Sequence, residues 1–65
     1  MITKKYKVDN LASFNKDIRI LSHQLRERVI INKVVYDNKT FSFFVELSAS
    51  EKLHNELNKL GYTTI

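Results

Sequence analysis

The side chains in this sequence that could carry chemistry are two histidines, a row of basic residues and a cluster of aromatics. His23 and His54 fall in separate segments with helical periodicity, and the chain has no cysteine. Neither histidine has the Ser, Asp or Glu arrangement that a nucleophilic triad or a metal site requires. Both are expected on polar, solvated helix faces. With a single glycine, Gly61, there is no glycine-rich loop to cradle a phosphate. These features point away from an enzyme and imply neither a metal nor a cofactor.

Lys16, Arg19, His23 and Arg26 recur at spacings of three, four and three, which makes a basic stripe on one helix. Together with Lys5 and Lys7 they could track a phosphate backbone, or they could be the solvated face opposite the core, with His23 and Glu27 paired at i,i+4. The whole excess of the +4 net charge lies in residues 1 to 28, which hold seven basic and three acidic side chains; the remainder holds four of each. Such a charge draws polyanions, and it also suffices for ordinary solubility.

The aromatic cluster is "FSFFVEL", residues 41 to 47. In a strand, Phe41, Phe43, Val45 and Leu47 share one face, and Phe44 joins Ser42 and Glu46 on the other. Phe44 is the aromatic left over.

The elements that position these groups follow from periodicity. "ITKKYKV" alternates as a half-buried strand, and Leu11, Phe14, Ile18, Leu21 and Leu25 form the apolar stripe of a helix running toward Arg28, capped by Asp9, Asn10 or Ser13. "VIINKVVY", the turn "DNK" and "TFSFFVEL" read as a hairpin. Ser48 and Glu51 have capping-box spacing ahead of a second helix with the stripe Ala49, Leu53, Leu57 and Leu60, which Gly61 ends. "YTTI" has room only for a short edge strand. The order implies an α+β fold, a ferredoxin-like β-α-β-β-α(-β) two-layer sandwich with both helices on one face of an antiparallel sheet. At 65 residues it is one domain, whose stability is on the order of 3 to 5 kcal/mol. No stretch is long and apolar enough for a membrane span, and a cytoplasmic location is expected.

Hairpin register decides what the open face carries. Pairing Tyr36 with Phe41, Val34 with Phe43, Asn32 with Val45 and Ile30 with Leu47 leaves one misfit, Asn32, in the core; slipping by one residue would bury Lys33, which is costlier. The preferred register predicts a core of Ile2, Tyr6, Val8, Phe14, Ile18, Leu21, Leu25, Ile30, Val34, Tyr36, Phe41, Phe43, Val45, Leu47, Leu53, Leu57 and Leu60. It places Val29, Ile31, Val35 and Phe44 together on the open face, rimmed by Lys5, Lys7, Lys33 and Glu46. A contiguous apolar patch of that kind marks an interface.

The order of elements and the segment "KTFSFFVE" resemble the RNA recognition motif, whose third strand carries a basic-aromatic octamer; the similarity lies at Lys39, Phe41 and Phe43. "YKVDNL" is similar to the companion hexamer at Val8, Asn10 and Leu11. The resemblance implies bases stacked on Phe41 and Phe43. It departs at Thr40, Ser42 and Glu46, and Lys7 stands where a stacking aromatic belongs. Using that platform would also bury Glu46, so the resemblance is one of topology. "LNKLGY" is similar to the last helix of many ferredoxin-like domains, including heavy-metal-binding ones, but their paired-cysteine loop is absent and no metal role carries over.

The function expected is that of a small non-enzymatic regulatory protein. It would bind a protein partner through Phe44, Val35, Ile31, Val29, Lys33 and Glu46. That partner would be a second copy or a larger enzyme, as a phage-type inhibitor binds its host target. The alternative is nucleic-acid binding through Lys5, Lys7, Lys16, Arg19 and Arg26.

Overall fold

A computed structural model of the protein describes residues 1–65. The elements are β1 (Ile2–Val8), α1 (Leu11–Leu25), β2 (Ile30–Asp37), β3 (Ser42–Ala49), α2 (Glu51–Lys59) and β4 (Thr63–Thr64). The four strands form one antiparallel sheet in the order β2-β3-β1-β4. Both helices pack on one face of it, the expected α+β sandwich.

Each helix end has an identifiable cause. The Asn10 side chain caps α1 by accepting the Ser13 N–H at 3.0 Å. The helix stops at Leu25, short of the expected Arg28, because Arg26 turns left-handed (φ 53°) and Glu27 N–H folds back to Ser22 C=O at 3.0 Å. Glu27 is therefore off the helix and does not pair with His23; it accepts instead from the Ser50 hydroxyl. Ser50, not Ser48, caps α2, its Oγ accepting the Leu53 N–H at 3.2 Å. Ser48 and Ala49 belong to β3, so the expected start of α2 was two residues early. At the other end, Gly61 (φ 100°) closes α2 as expected, with Gly61 N–H on Asn58 C=O and Tyr62 N–H on Leu57 C=O.

The register of the hairpin differs from the expected one by two residues. Tyr36 pairs with Phe43, Val35 with Phe44, Val34 with Val45 and Lys33 with Glu46; a bulge at Asn32 follows, after which Ile31 pairs with Leu47 and Ile30 with Ser48. The loop is four residues, Asn38 to Phe41, and Asp37 braces it by accepting from Lys39 N–H at 3.1 Å and Thr40 Oγ1 at 2.9 Å. Phe41 is thus the last loop residue, left-handed (φ 54°) and 74% exposed, and not a core residue.

The core consists of Tyr6, Val8, Phe14, Ile18, Leu21, Val45, Leu47, Ala49, Leu53 and Leu57, with Leu11, Leu25, Val29, Phe43 and Tyr62 packed around it. It is smaller than the sequence pattern implies. Ile2, Ile30, Val34, Tyr36, Phe41 and Leu60 are exposed. Four of these six lie on the hairpin: β2 is an edge strand beyond reach of the helices, and Phe41 is in the loop. Replacing one buried Phe by Ala costs about 3 to 5 kcal/mol, as much as the whole stability on the order of 3 to 5 kcal/mol expected for a domain of this size.

His54 is fully buried, not solvated as expected. Its Nε2 lies 2.8 Å from the Ile2 carbonyl, which can only accept, so Nε2 carries the proton. Nδ1 is then the acceptor for the Tyr6 hydroxyl at 2.6 Å. This chain ties α2 to β1 through the core and leaves no buried side-chain polar atom unpaired. Tyr62 in turn donates its hydroxyl to Asp17 on α1. Burial pushes the Tyr6 phenol up to about 12; burial, then the Asp17 carboxylate, does the same for Tyr62.

Two consequences can be measured. Left-handed conformation costs a non-glycine residue about 1 to 2 kcal/mol, and both Arg26 and Phe41 are exposed. Arg26→Gly and Phe41→Gly should each raise the unfolding free energy in urea by about 0.5 to 1 kcal/mol; a loss on Phe41→Gly would mean that its ring packs. Stability should also fall at high pH. Below pH 10 the two phenols are protonated in both states, whereas between about 10 and 12 only the unfolded chain releases their protons, which favours unfolding. Denaturation midpoints should hold steady up to about pH 10 and drop above it, and a flat profile to pH 12 would contradict these environments.

Candidate functional site

The face of the sheet away from the helices is built in rows by strand pairing. Opposed residues in antiparallel strands point to the same side. Lys5 of β1 stands opposite Glu46 of β3, which stands opposite Lys33 of β2. The next row runs Thr63, Lys7, Phe44, Val35. Beyond β1, Ile65 N–H donates to Lys5 C=O at 2.8 Å, which sets Ile65 beside the charged row. At one end, Ser48 Oγ accepts from Asn32 Nδ2 at 2.7 Å and is hydrogen-bonded to Thr3 Oγ1 at 2.7 Å. At the other, Ser42 Oγ donates to Asp9 at 3.0 Å.

The bulge resolves the expected misfit. Two residues, Asn32 and Lys33, face one partner, so neither enters the core, and Asn32 satisfies its amide on Ser48. The same bulge inverts the strand before it. Ile31, opposite the buried Leu47, points to the helix side, and Val29 packs against the core. Both were expected on the open face and are not there; Ile30 replaces them, opposite Ser48.

The remaining four members of the expected partner-binding set come together. Phe44, Val35, Lys33 and Glu46, with Lys5 and Ile65, line a shallow concavity of about 400 Å³. Phe44 is half-buried at its floor, while Val35 (43% exposed) and Ile65 (69%) supply apolar flanks. The lysines around it are unpaired: the one ion pair in the protein, Lys59 with Glu56 at 3.4 Å, is elsewhere and exposed. Ile65 is the residue that sequence reasoning missed, because nothing local says where a four-residue tail will pair.

The expected nucleic-acid set is divided by the sheet. Lys5 and Lys7 lie on the open face, whereas Lys16 and Arg19 are exposed on α1 and Arg26 stands at its end, all in the helix layer. The aromatic platform implied by the RNA recognition motif is not formed either. Phe43 faces the helix side, tilted against Tyr36 at 5.0 Å, and Phe41 is in the loop. No three His, Asp or Glu side chains converge as metal ligands, and both nitrogens of His54 are held in structural hydrogen bonds. No helix is long and apolar enough to cross a membrane. No protein family, curated protein or solved structure matches this chain.

Proposed function

We propose that the protein is a non-enzymatic interaction module that binds a protein partner through the open face of its sheet. The observation that carries this reading is the concavity with Phe44 at its floor, flanked by Val35 and Ile65 and rimmed by Lys5 and Lys33. A half-buried aromatic among unpaired charges has the anatomy of an interface centre with a polar rim. The matching surface on a partner is an apolar side chain flanked by carboxylates. The partner is a second copy or a larger protein whose activity is regulated; inhibition of a host enzyme by a small phage-type protein is one form this takes. Nucleic-acid binding has less support, since its five basic residues occupy two opposite faces.

The test is capture of partners from extract of the source cell, with and without nuclease, using the wild-type chain beside Phe44→Asp and Ile65→Asp. Both variants should keep the wild-type circular dichroism, and recovery of the partner should survive nuclease and fall about tenfold or more on either change. Recovery that nuclease abolishes, or that neither variant reduces, would contradict the reading.

A further inference from the structure

The two edges of the sheet differ. β4 ends one side with two residues, too short to template another strand. β2 ends the other with eight, and Ile30, Ile31, Val34, Val35 and Tyr36 are each between 43% and 48% exposed, on both faces of the strand. A long apolar edge with free backbone groups is a template for pairing.

The positions of those free groups follow from one hydrogen bond. Ile65 N–H donates to Lys5 C=O, so in β1 the backbone groups of Lys5 and Lys7 turn to β4 and those of Tyr6 turn to β3. Tyr6 is opposite Val45, so in β3 the groups of Phe44 and Glu46 turn to β2. Val35, opposite Phe44, therefore spends its groups on β3, and the N–H and C=O of Val34 and Tyr36 point outward along the free edge.

We propose that a second copy of this chain pairs with that edge, β2 antiparallel to β2 about a twofold axis at Val35. Only registers that oppose outward-facing residues to outward-facing residues can bond, which removes every second one. Of the rest, opposing Lys33 to itself repels, opposing Lys33 to Val35 carries the pairing across the bulge at Asn32, and opposing Tyr36 to itself runs the pairing into the turn at Asn38 and sets Asp37 against Val35. With Val35 opposite itself, Lys33 stands opposite Asp37 twice on the open face, and Val34 stands opposite Tyr36 twice on the helix side. The outward groups of Val34 and Tyr36 then make four hydrogen bonds between copies. Asp37 is already held at the strand end by Lys39 and Thr40, and its carboxylate has lone pairs to spare. The product is one eight-stranded sheet with four helices on one side and two concavities on the other, open to a different protein.

The test uses charge reversal and sedimentation equilibrium. Wild type should have the mass of a dimer at concentrations on the order of 100 µM. Lys33→Asp and Asp37→Lys alone each oppose like charges twice and should raise the dissociation constant about tenfold. A one-to-one mixture of the two, in which both pairs opposed between copies are again of unlike charge, should dimerise like wild type. Circular dichroism of each variant checks folding, since Asp37 braces the turn and position 33 stands opposite Glu46 within its own chain. Because the chain has no cysteine, Val35→Cys reports the register. Val35 would be a non-hydrogen-bonded pair with Cα atoms about 4.5 Å apart, within disulfide range. It should oxidise to a covalent dimer, while Thr63→Cys on the other edge should not. A folded monomer at that concentration, a mixture no better than its components, or equal cross-linking at position 63 would overturn the proposal.

Discussion

One extra residue in β2 determines most of what this protein presents to its surroundings. A regular strand running back from Lys33 would send Asn32 into the core opposite Leu47, where a carboxamide costs several kcal/mol unless it is bonded. The bulge turns Asn32 and Lys33 to the same side, gives the amide to Ser48, and returns Ile31 to the position opposite Leu47. The strand keeps its apolar side against β3 at both ends. The open face receives Ile30, Asn32, Lys33 and Val35, a mixture that neither register of a straight hairpin yields.

A second constraint is the shortness of the helix layer. α2 has nine residues, and its buried side chains are Leu53, His54 and Leu57. With Phe14, Ile18 and Leu21 of α1 they cover the central strands β1 and β3, and nothing is left for β2. His54 is used here as a structural residue: its two ring nitrogens span from the Ile2 carbonyl to the Tyr6 hydroxyl, so α2 is oriented by hydrogen bonds as well as by its two leucines. In so small a core, a polar chain of this kind fixes one docking angle where apolar contacts alone would allow several. It also removes the histidine from any surface chemistry.

Much of the fold was legible in the sequence because periodicity is a local property. The strand from Ile2, the helix stripe through Phe14 and Ile18, and the Gly61 ending all stand where their spacing places them. The open-face cluster of Phe44, Val35, Lys33 and Glu46 was legible as well, since alternation in β3 and the nearer half of β2 is undisturbed. What was not legible depends on contacts distant in sequence. Phe41 has strand composition, but the turn around Asp37 takes it into the loop. Val29 and Ile31 were displaced by a bulge that no neighbouring residue announces. His54 sits one position from a leucine of the stripe, and only its partners on β1 distinguish a buried histidine from a solvated one.

The face and the edge of the sheet thus offer separate surfaces, a basic-rimmed concavity centred on Phe44 and the outward backbone groups of β2. Both depend on the same strand geometry, and amide hydrogen exchange resolved along β2 tests it most directly. Lys33, Val35 and Asp37, bonded to β3, should be protected at every concentration, while Val34 and Tyr36 should exchange freely in dilute solution and become protected as concentration rises. Protection of Val34 and Tyr36 in dilute solution, with Val35 exchanging freely, would contradict the strand geometry. Free exchange of Val34 and Tyr36 at all concentrations would contradict pairing of two copies along this edge.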